Sequence, residues 1–348
     1  MLRRAVIAVV LTLALAGVVA GVWLWMGGEP FQGYTATEQF VDLVPGDGTP
    51  AIARKLVEAG VVRDRWSFRL ALWRTGAARR LKAGEYRFEH PMTAAEVVGM
   101  LARGEVYLRP VTFPEGLTVR EMARIFESRG LGSADSFLEA ARDEAPLVRD
   151  IDPDARDLEG YLFPETYSLS RHASATELVR LMAARFHQVF TPELREAAAA
   201  RGLTPREAVT LASLVEKETA QAGERPIVAG VYLNRLRIRM ALQCDPTVIY
   251  ALETRGQYHG NLTRENLQVN SPYNTYRHPG LPPGPIAAPS RSSLEAVADA
   301  QTVDYLYFVA RNDGTHVFAA TLDEHNRNVH KYRVEFFRQR RLPAPRRP

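Results

Sequence analysis

Residues 5–26 form a run of about 22 positions without a charge, against the roughly 20 that a helix needs to span the hydrocarbon layer of a bilayer. Arg3 and Arg4 precede the run, Glu29 follows it, and Trp23 and Trp25 stand near its far end, where an aromatic belt would lie. Positive-inside logic then places the amino terminus in the cytoplasm and everything after Gly28 outside. Ala14 and Ala16 offer the small residues of a cleavable signal, but the apolar run continues past them for longer than a usual signal core. The expectation is a retained single-pass anchor over residues 1–28 in an inner membrane, with the remainder in the periplasm.

The remainder is long enough for real cores, since 46% of the 348 residues are hydrophobic and 24% charged. Basic and acidic residues number 44 and 40, a net charge of only +4, and the basic ones are spread without aromatic interleaving. Nucleic acid is therefore excluded as the expected partner. Cys244 is the only cysteine, so an internal disulfide is impossible and stability has to come from packing.

The organisation is α+β. A strand signal near Phe40 is followed by the turn Val44-Pro45-Gly46-Asp47-Gly48-Thr49-Pro50 and a helix with Pro50 near its first position. A second helical stretch around Trp66 and Trp73 leads to the strand signal Gly84-Glu85-Tyr86-Arg87-Phe88. Thr93 and Glu96 then open a further helix as a capping box, closed by Gly104. The order returns downstream: Phe113-Pro114-Glu115-Gly116-Leu117-Thr118 echoes the first turn, and Gly160-Tyr161-Leu162-Phe163 with the cap Ser174 to Glu177 echoes the strand and cap. This predicts a first module over 38–107 and a second copy over 108–185, the opening of a larger domain over 108–342. Residues 343–348 read as a frayed, basic, Pro-rich tail.

Thr204-Pro205-Arg206-Glu207 is a capping box with Pro at the first helical position, which predicts a helix from Pro205 to about Gln221, stopped by Gly223. Its apolar face is Ala208, Val209, Leu211, Ala212, Leu214 and Val215. At roughly 100° per residue Glu216 and Glu218 both edge that face, while Lys217 points away. A carboxylate so placed is paired, rim-exposed, or desolvated with a raised pKa, and only the last makes a general acid near neutral pH. The helical pattern leaves these three open.

Several ordered strings resemble the MltG/YceG family. They are Leu211-Ala212-Ser213-Leu214-Val215-Glu216-Lys217-Glu218-Thr219, Val231-Tyr232-Leu233-Asn234-Arg235-Leu236, and Leu242-Gln243-Cys244-Asp245-Pro246-Thr247-Val248-Ile249-Tyr250. Asn270-Ser271-Pro272-Tyr273-Asn274-Thr275-Tyr276 and Gly280-Leu281-Pro282-Pro283-Gly284-Pro285-Ile286 follow, then Tyr305 to Ala310 with Glu324-His325-Asn326. Upstream, Leu158 to Tyr167 matches too, and the first module is similar to the family's LysM-like domain. The chain departs at Cys244, where relatives commonly carry a small hydroxyl residue, and at Ala288-Pro289-Ser290, where Asn-Pro-Gly is common.

The resemblance implies a membrane anchor, a LysM-like α/β module and a YceG-type catalytic domain, together an endolytic lytic transglycosylase acting on peptidoglycan glycan strands. It assigns the catalytic glutamate to Glu216. That acid would protonate the oxygen between N-acetylmuramic acid and N-acetylglucosamine, then take the proton of the muramyl C6 hydroxyl as the 1,6-anhydro ring closes. Substrate contacts are expected from Glu165, Glu218, Asn234, Gln243, Asp245, Asn270, Ser271, Tyr273, Asn274, Thr275 and Tyr276. Asp245 reads equally as an N-cap before Pro246, Glu165 as a turn anchor and Glu218 as half of a salt bridge. No metal or organic cofactor is implied, and synthases of the elongation machinery are the protein partners that the resemblance suggests. A non-catalytic, membrane-anchored glycan-binding scaffold and a glycan hydrolase are the alternative readings. Ser213 has no nucleophile elbow, Cys244 no base in frame, and the histidines, His259, His278, His316, His325 and His330 among them, no metal-binding spacing. They read as ordinary surface or packing residues.

Overall fold

The structure is a computed structural model that describes residues 28–335, together with positions 11, 14, 17 and 21. The expected anchor over 5–26 lies almost wholly outside the described residues, as does the 343–348 tail. Among the described residues no helix is long and apolar enough to cross a membrane. The chain divides into two compact units: 1–110 with 168–172, and 111–167 with 173–348.

In the first unit β1 (Gln39–Leu43) pairs antiparallel with β2 (Gly84–Phe88), Val41 opposite Tyr86. Between them run α1 (Thr49–Glu58) and α2 (Arg65–Thr75), and α3 (Ala94–Arg103) follows β2. Asp64 caps α2 by accepting the amides of Trp66 and Ser67, and Gly76 ends that helix in the left-handed conformation that glycine adopts without steric cost. Thr93 and Glu96 close the expected capping box on α3. The core gathers Leu43, Leu56, Phe68, Tyr86, Phe88 and Val97, all essentially without solvent contact. Phe31 is stitched to this unit by backbone hydrogen bonds with Met92.

The element order recurs, mostly within the second unit, as β3 (Arg109–Thr112), α4 (Val119–Ser128), α5 (Ala134–Asp143), β4 (Thr166–Leu169) and α6 (Ala175–Val189), with β3 and β4 paired. Thr118 with Glu121, and Ser174, supply the helix caps. One expectation fails here. The segment Gly160–Phe163 is a buried turn and the strand begins at Thr166, because Gly160 sits at φ +83° against Pro285 and Tyr161 donates its amide back to Leu158. A side chain at that glycine would start 2.2 Å from the proline ring, so a straight strand with Cβ atoms cannot occupy the position.

Beyond α6 the unit is helical: α7 (Pro192–Ala200), α8 (Pro205–Glu218), α9 (Arg225–Arg237), α10 (Asp245–Glu253) and α11 (Arg291–Ala298). α8 is the central element, packed on α7, α9, α10 and α11, and every residue from Ala208 to Val215 is buried. The hairpin β5 (Tyr307–Ala310) and β6 (His316–Ala319) and α12 (Leu322–Val329) complete it. The closing strand signal thus has an antiparallel partner that the alternation near Tyr305 did not announce.

Candidate active site at the end of helix α8

The Thr204–Glu207 capping box starts α8 as expected, with Glu207 Oε2 2.8 Å from the Thr204 amide. The helix stops at Glu218, earlier than its pattern suggested. Thr219 is extended, at φ −138° and ψ 131°, because its hydroxyl donates to Glu224 and accepts the Gln221 amide, so the chain turns toward α9. The two carboxylates stand two residues apart, about 200° around the axis, and face different surroundings.

Glu216 has both carboxyl oxygens engaged by protein donors. Arg225 donates to Oε1 at 3.0 Å, and Oε2 accepts the Ser290 amide at 2.9 Å, the Ser290 hydroxyl at 2.5 Å and the Ser293 hydroxyl at 2.7 Å. The two charged side chains are 8% and 5% exposed. Arg225 in turn donates to the hydroxyls of Ser290 and Ser292. Such a node clamps α8, α9 and the start of α11 together. Both Glu216 oxygens are thus engaged inside the protein, by one guanidinium and two serines. Ser290 is the N-cap of α11 and a donor to this node.

Glu218 is the opposite case. Oε1 accepts the Tyr232 hydroxyl at 2.8 Å, and desolvation, aided by the nearby Asp245 charge, raises its carboxyl above the ordinary range despite opposing contacts from Cys244 and Tyr232. Among the described residues Glu218 has no salt-bridge partner, contrary to the ion pair considered for it. Tyr232 is itself buried and its phenol pushed well up, by burial first and then by Cys244 and Glu218, so it acts here as a neutral hydroxyl donor. The Cys244 thiol is buried and likewise pushed well above its usual range.

Asp245 is the first residue of α10 and not its cap; that place belongs to Cys244. Its carboxylate accepts the Tyr276 hydroxyl at 2.5 Å. Glu218, Asp245 and Tyr276 are therefore brought to one neighbourhood, as their motifs implied, and Gln243 adjoins it at a left-handed φ of +50°, exposed. Several other expected contacts are spent inside the protein. Asn274 donates to the carbonyls of Leu267 and Val269, the Thr275 hydroxyl meets Thr247 and the Cys244 amide, and Ser271 accepts the Tyr273 amide. Asn234 holds the carbonyls of Val303 and Tyr305, and Glu165 pairs with Arg185 on the surface. Asn270 is exposed, its carbonyl held by Arg255.

Three contributors went unnoticed in the chain. His316, read as an ordinary surface or packing residue, places Nδ1 2.8 Å from Glu224 and contributes to the field at Glu218. The pair is 92 residues apart, so no local pattern signals it. Tyr232 lay inside a quoted motif, but its apolar neighbours read as core. Glu159 is the third. It accepts the Val119 amide at 3.1 Å and the Tyr250 hydroxyl at 3.4 Å, and burial with the nearby Asp157 charge pushes its carboxyl up to about 8.

Glu159 and Tyr250 border a polar cleft of about 650 Å³, shared with Asp157, Tyr161, Arg206 and Tyr273. Tyr250 and Tyr273 pack with ring centroids 4.9 Å apart. Tyr250 lies five residues after Asp245 on α10, about 8 Å along the axis, so Tyr273 and Tyr276 of one loop touch successive turns of that helix. Among the described residues no group of His, Cys, Asp and Glu is arranged to hold a metal ion.

The profile of the YceG-like family matches residues 41–331. An endolytic murein transglycosylase of Bacillus subtilis is 29% identical over 87% of this chain and 87% of its own length. A Streptococcus pneumoniae protein of the same name is 31% identical over 83% of this chain, which spans 57% of that longer relative. The crystal structure of a YceG-like protein from Listeria monocytogenes is 30% identical, with a TM-score of 0.58, covering 84% of this chain and 98% of that one.

Proposed function

The chain belongs to the YceG-like family, and from that premise we propose that it is an endolytic murein transglycosylase, a carbon–oxygen lyase that cuts peptidoglycan strands, with Glu218 rather than Glu216 as its acid and base. The observation that carries the assignment is the contrast between the two carboxylates. Both oxygens of Glu216 are taken up by Arg225 and three serine contacts, whereas Glu218 is desolvated beside a neutral phenol.

Tyr232 donates to Oε1, so the proton of neutral Glu218 belongs on Oε2, where it can reach a glycosidic oxygen. Donation of that proton breaks the bond to the leaving N-acetylglucosamine. The carboxylate left behind takes the proton of the muramyl C6 hydroxyl while that oxygen bonds to C1, closing the 1,6-anhydro ring and restoring neutral Glu218. One carboxyl suffices for both transfers, unlike the paired carboxylates of most glycoside hydrolases. Asp245, held by Tyr276, opposes premature loss of the Glu218 proton. Gln243 and Tyr273 are the expected contacts to flanking sugars, Tyr273 from the wall of the cleft with Glu159.

The rest of the reading follows the family. Residues 5–26 anchor the chain in the inner membrane with the catalytic unit in the periplasm, near synthases of the elongating wall. The β-α-α-β order of the first unit supports a LysM-like module, and its recurrence in β3 to β4 supports an internal duplication.

Digestion of purified sacculi followed by mass spectrometry tests the proposal. Anhydro-muramyl ends released from within strands are expected. Reducing ends would identify a hydrolase and absence of cleavage a binding scaffold, and either outcome overturns the reading.

A further inference from the structure

Two tryptophans of the first unit stand out into solvent. Trp66 is 62% exposed and Trp73 81%, although residues of this type are usually well buried. Seven residues separate them on α2, so they share a face, with Arg69 and Leu70 between them at the i+3 and i+4 positions. The Arg69 guanidinium lies 5.2 Å over the Trp66 ring. Along residues 63–82 the sequence is one-sided in charge, with seven basic residues against Asp64 alone. Asp64 is already consumed by the amides of Trp66 and Ser67 and the Ser67 hydroxyl. Beside Trp66 a groove of about 440 Å³ is bordered by Thr49, Pro50, Arg65 and Arg69.

The face also begins close to the point where this unit joins the apolar run. Phe31, bonded to Met92, is five residues after Met26, a span of at most about 18 Å. Arg63, just before α2, sits 5.3 Å over the Phe31 ring. A glycan would be the other occupant to consider. Sugar hydroxyls call for carboxylates or amides beside the aromatic rings, and the charged groups here are arginines with their one acid engaged.

We propose that the Trp66–Trp73 face of α2 rests on the surface of an anionic phospholipid bilayer, its indoles in the interfacial layer and Arg65, Arg69 and Arg74 on lipid phosphates. Indole rings favour the headgroup level, where one edge is wet and the rest apolar, and each arginine near an anionic surface adds an attraction of a similar sign. The consequence is a first unit lying flat on the membrane. The proposal rests on the reading of residues 5–26 as an anchor.

The test uses the full chain carrying W23F and W25F, so that emission reports only Trp66 and Trp73, in vesicles of phosphatidylglycerol and phosphatidylethanolamine with brominated acyl chains. Blue-shifted, strongly quenched emission is expected. It should be lost in a variant with Arg65, Arg69 and Arg74 changed to Glu, which keeps the exposed face and the core intact. Unquenched, red emission from a chain that floats with the vesicles and resists alkaline carbonate would overturn the surface contact while leaving the anchor standing. Quenched emission from a chain that carbonate strips off would remove the anchor and keep the face. A response to soluble muropeptide strands and none to vesicles would overturn the proposal in favour of a glycan site.

Discussion

Arg225 and Glu216 form an ion pair 3.0 Å long with both side chains more than nine-tenths buried, closed by Ser290 and Ser293. Removing one member of such a pair leaves the other charge buried and uncompensated, at a cost of about 3–5 kcal/mol. Glu216→Ala is therefore expected to lower stability on that scale. Replacing both partners together, as Glu216→Leu with Arg225→Met, should recover much of the loss. Chemical denaturation of the single and double variants measures both, and a stable Glu216→Ala protein would show that the node is not structural.

Glu218→Gln keeps shape and the Tyr232 contact but has no proton to give. Loss of anhydro product by about 100- to 10,000-fold is expected, the usual contribution of a general acid, with the circular dichroism spectrum and glycan binding unchanged. Near-normal product from this variant would return the assignment to another carboxyl, and Glu216 would be the first to re-examine.

The pH profile offers a separate check. Glu218 must be protonated to act, and its raised pKa means activity is lost as pH climbs through that value. Asp245 raises it by like-charge repulsion. Asp245→Asn removes the repulsion, so the alkaline limb of the rate profile should move to lower pH. A shift the other way, or none, contradicts the proposed electrostatics.

Glu159 makes a prediction about stability. Its folded-state pKa is pushed up to about 8 from 4.5, so the folded state keeps a proton that the unfolded chain releases. The stability this contributes is full below 4.5 and lost as pH rises toward 8. Glu159→Gln cannot titrate and should show a flatter decline than the parent across that window in urea denaturation followed at several pH values. Parallel curves would place the proton elsewhere.

Cys244 is buried with its thiol pushed well up, so it is neither a ready nucleophile nor a thiolate ligand. Cys244→Ser, which preserves a small donor beside Glu218, is expected to retain most activity. Complete loss in a folded variant, seen in the same product assay, would mean that the thiol has a part in the chemistry.

Local signals in the chain were reliable where one turn of helix or one glycine decided the outcome. The capping boxes at Thr93 and Thr204, the proline at the start of α8 and the turn at Gly104 depend on neighbours three or four residues away, and each appears as read. The apolar stripe Ala208 to Val215 likewise dictates a buried α8 by periodicity alone. That periodicity put Glu216 and Glu218 at the edge of one face, but the wheel carries no information about what covers that edge. What covers Glu216 is Arg225 from α9 and Ser290 from a loop 74 residues on. What covers Glu218 is Tyr232, with His316 and Glu224 beyond. A carboxyl's proton affinity is set by desolvation and by the charges and donors within a few ångströms, and those arrive from distant parts of the chain only when it folds. The candidate carboxylates were therefore written in the motif, while the different surroundings of two nearly adjacent glutamates belong to the packing of α8 against its neighbours.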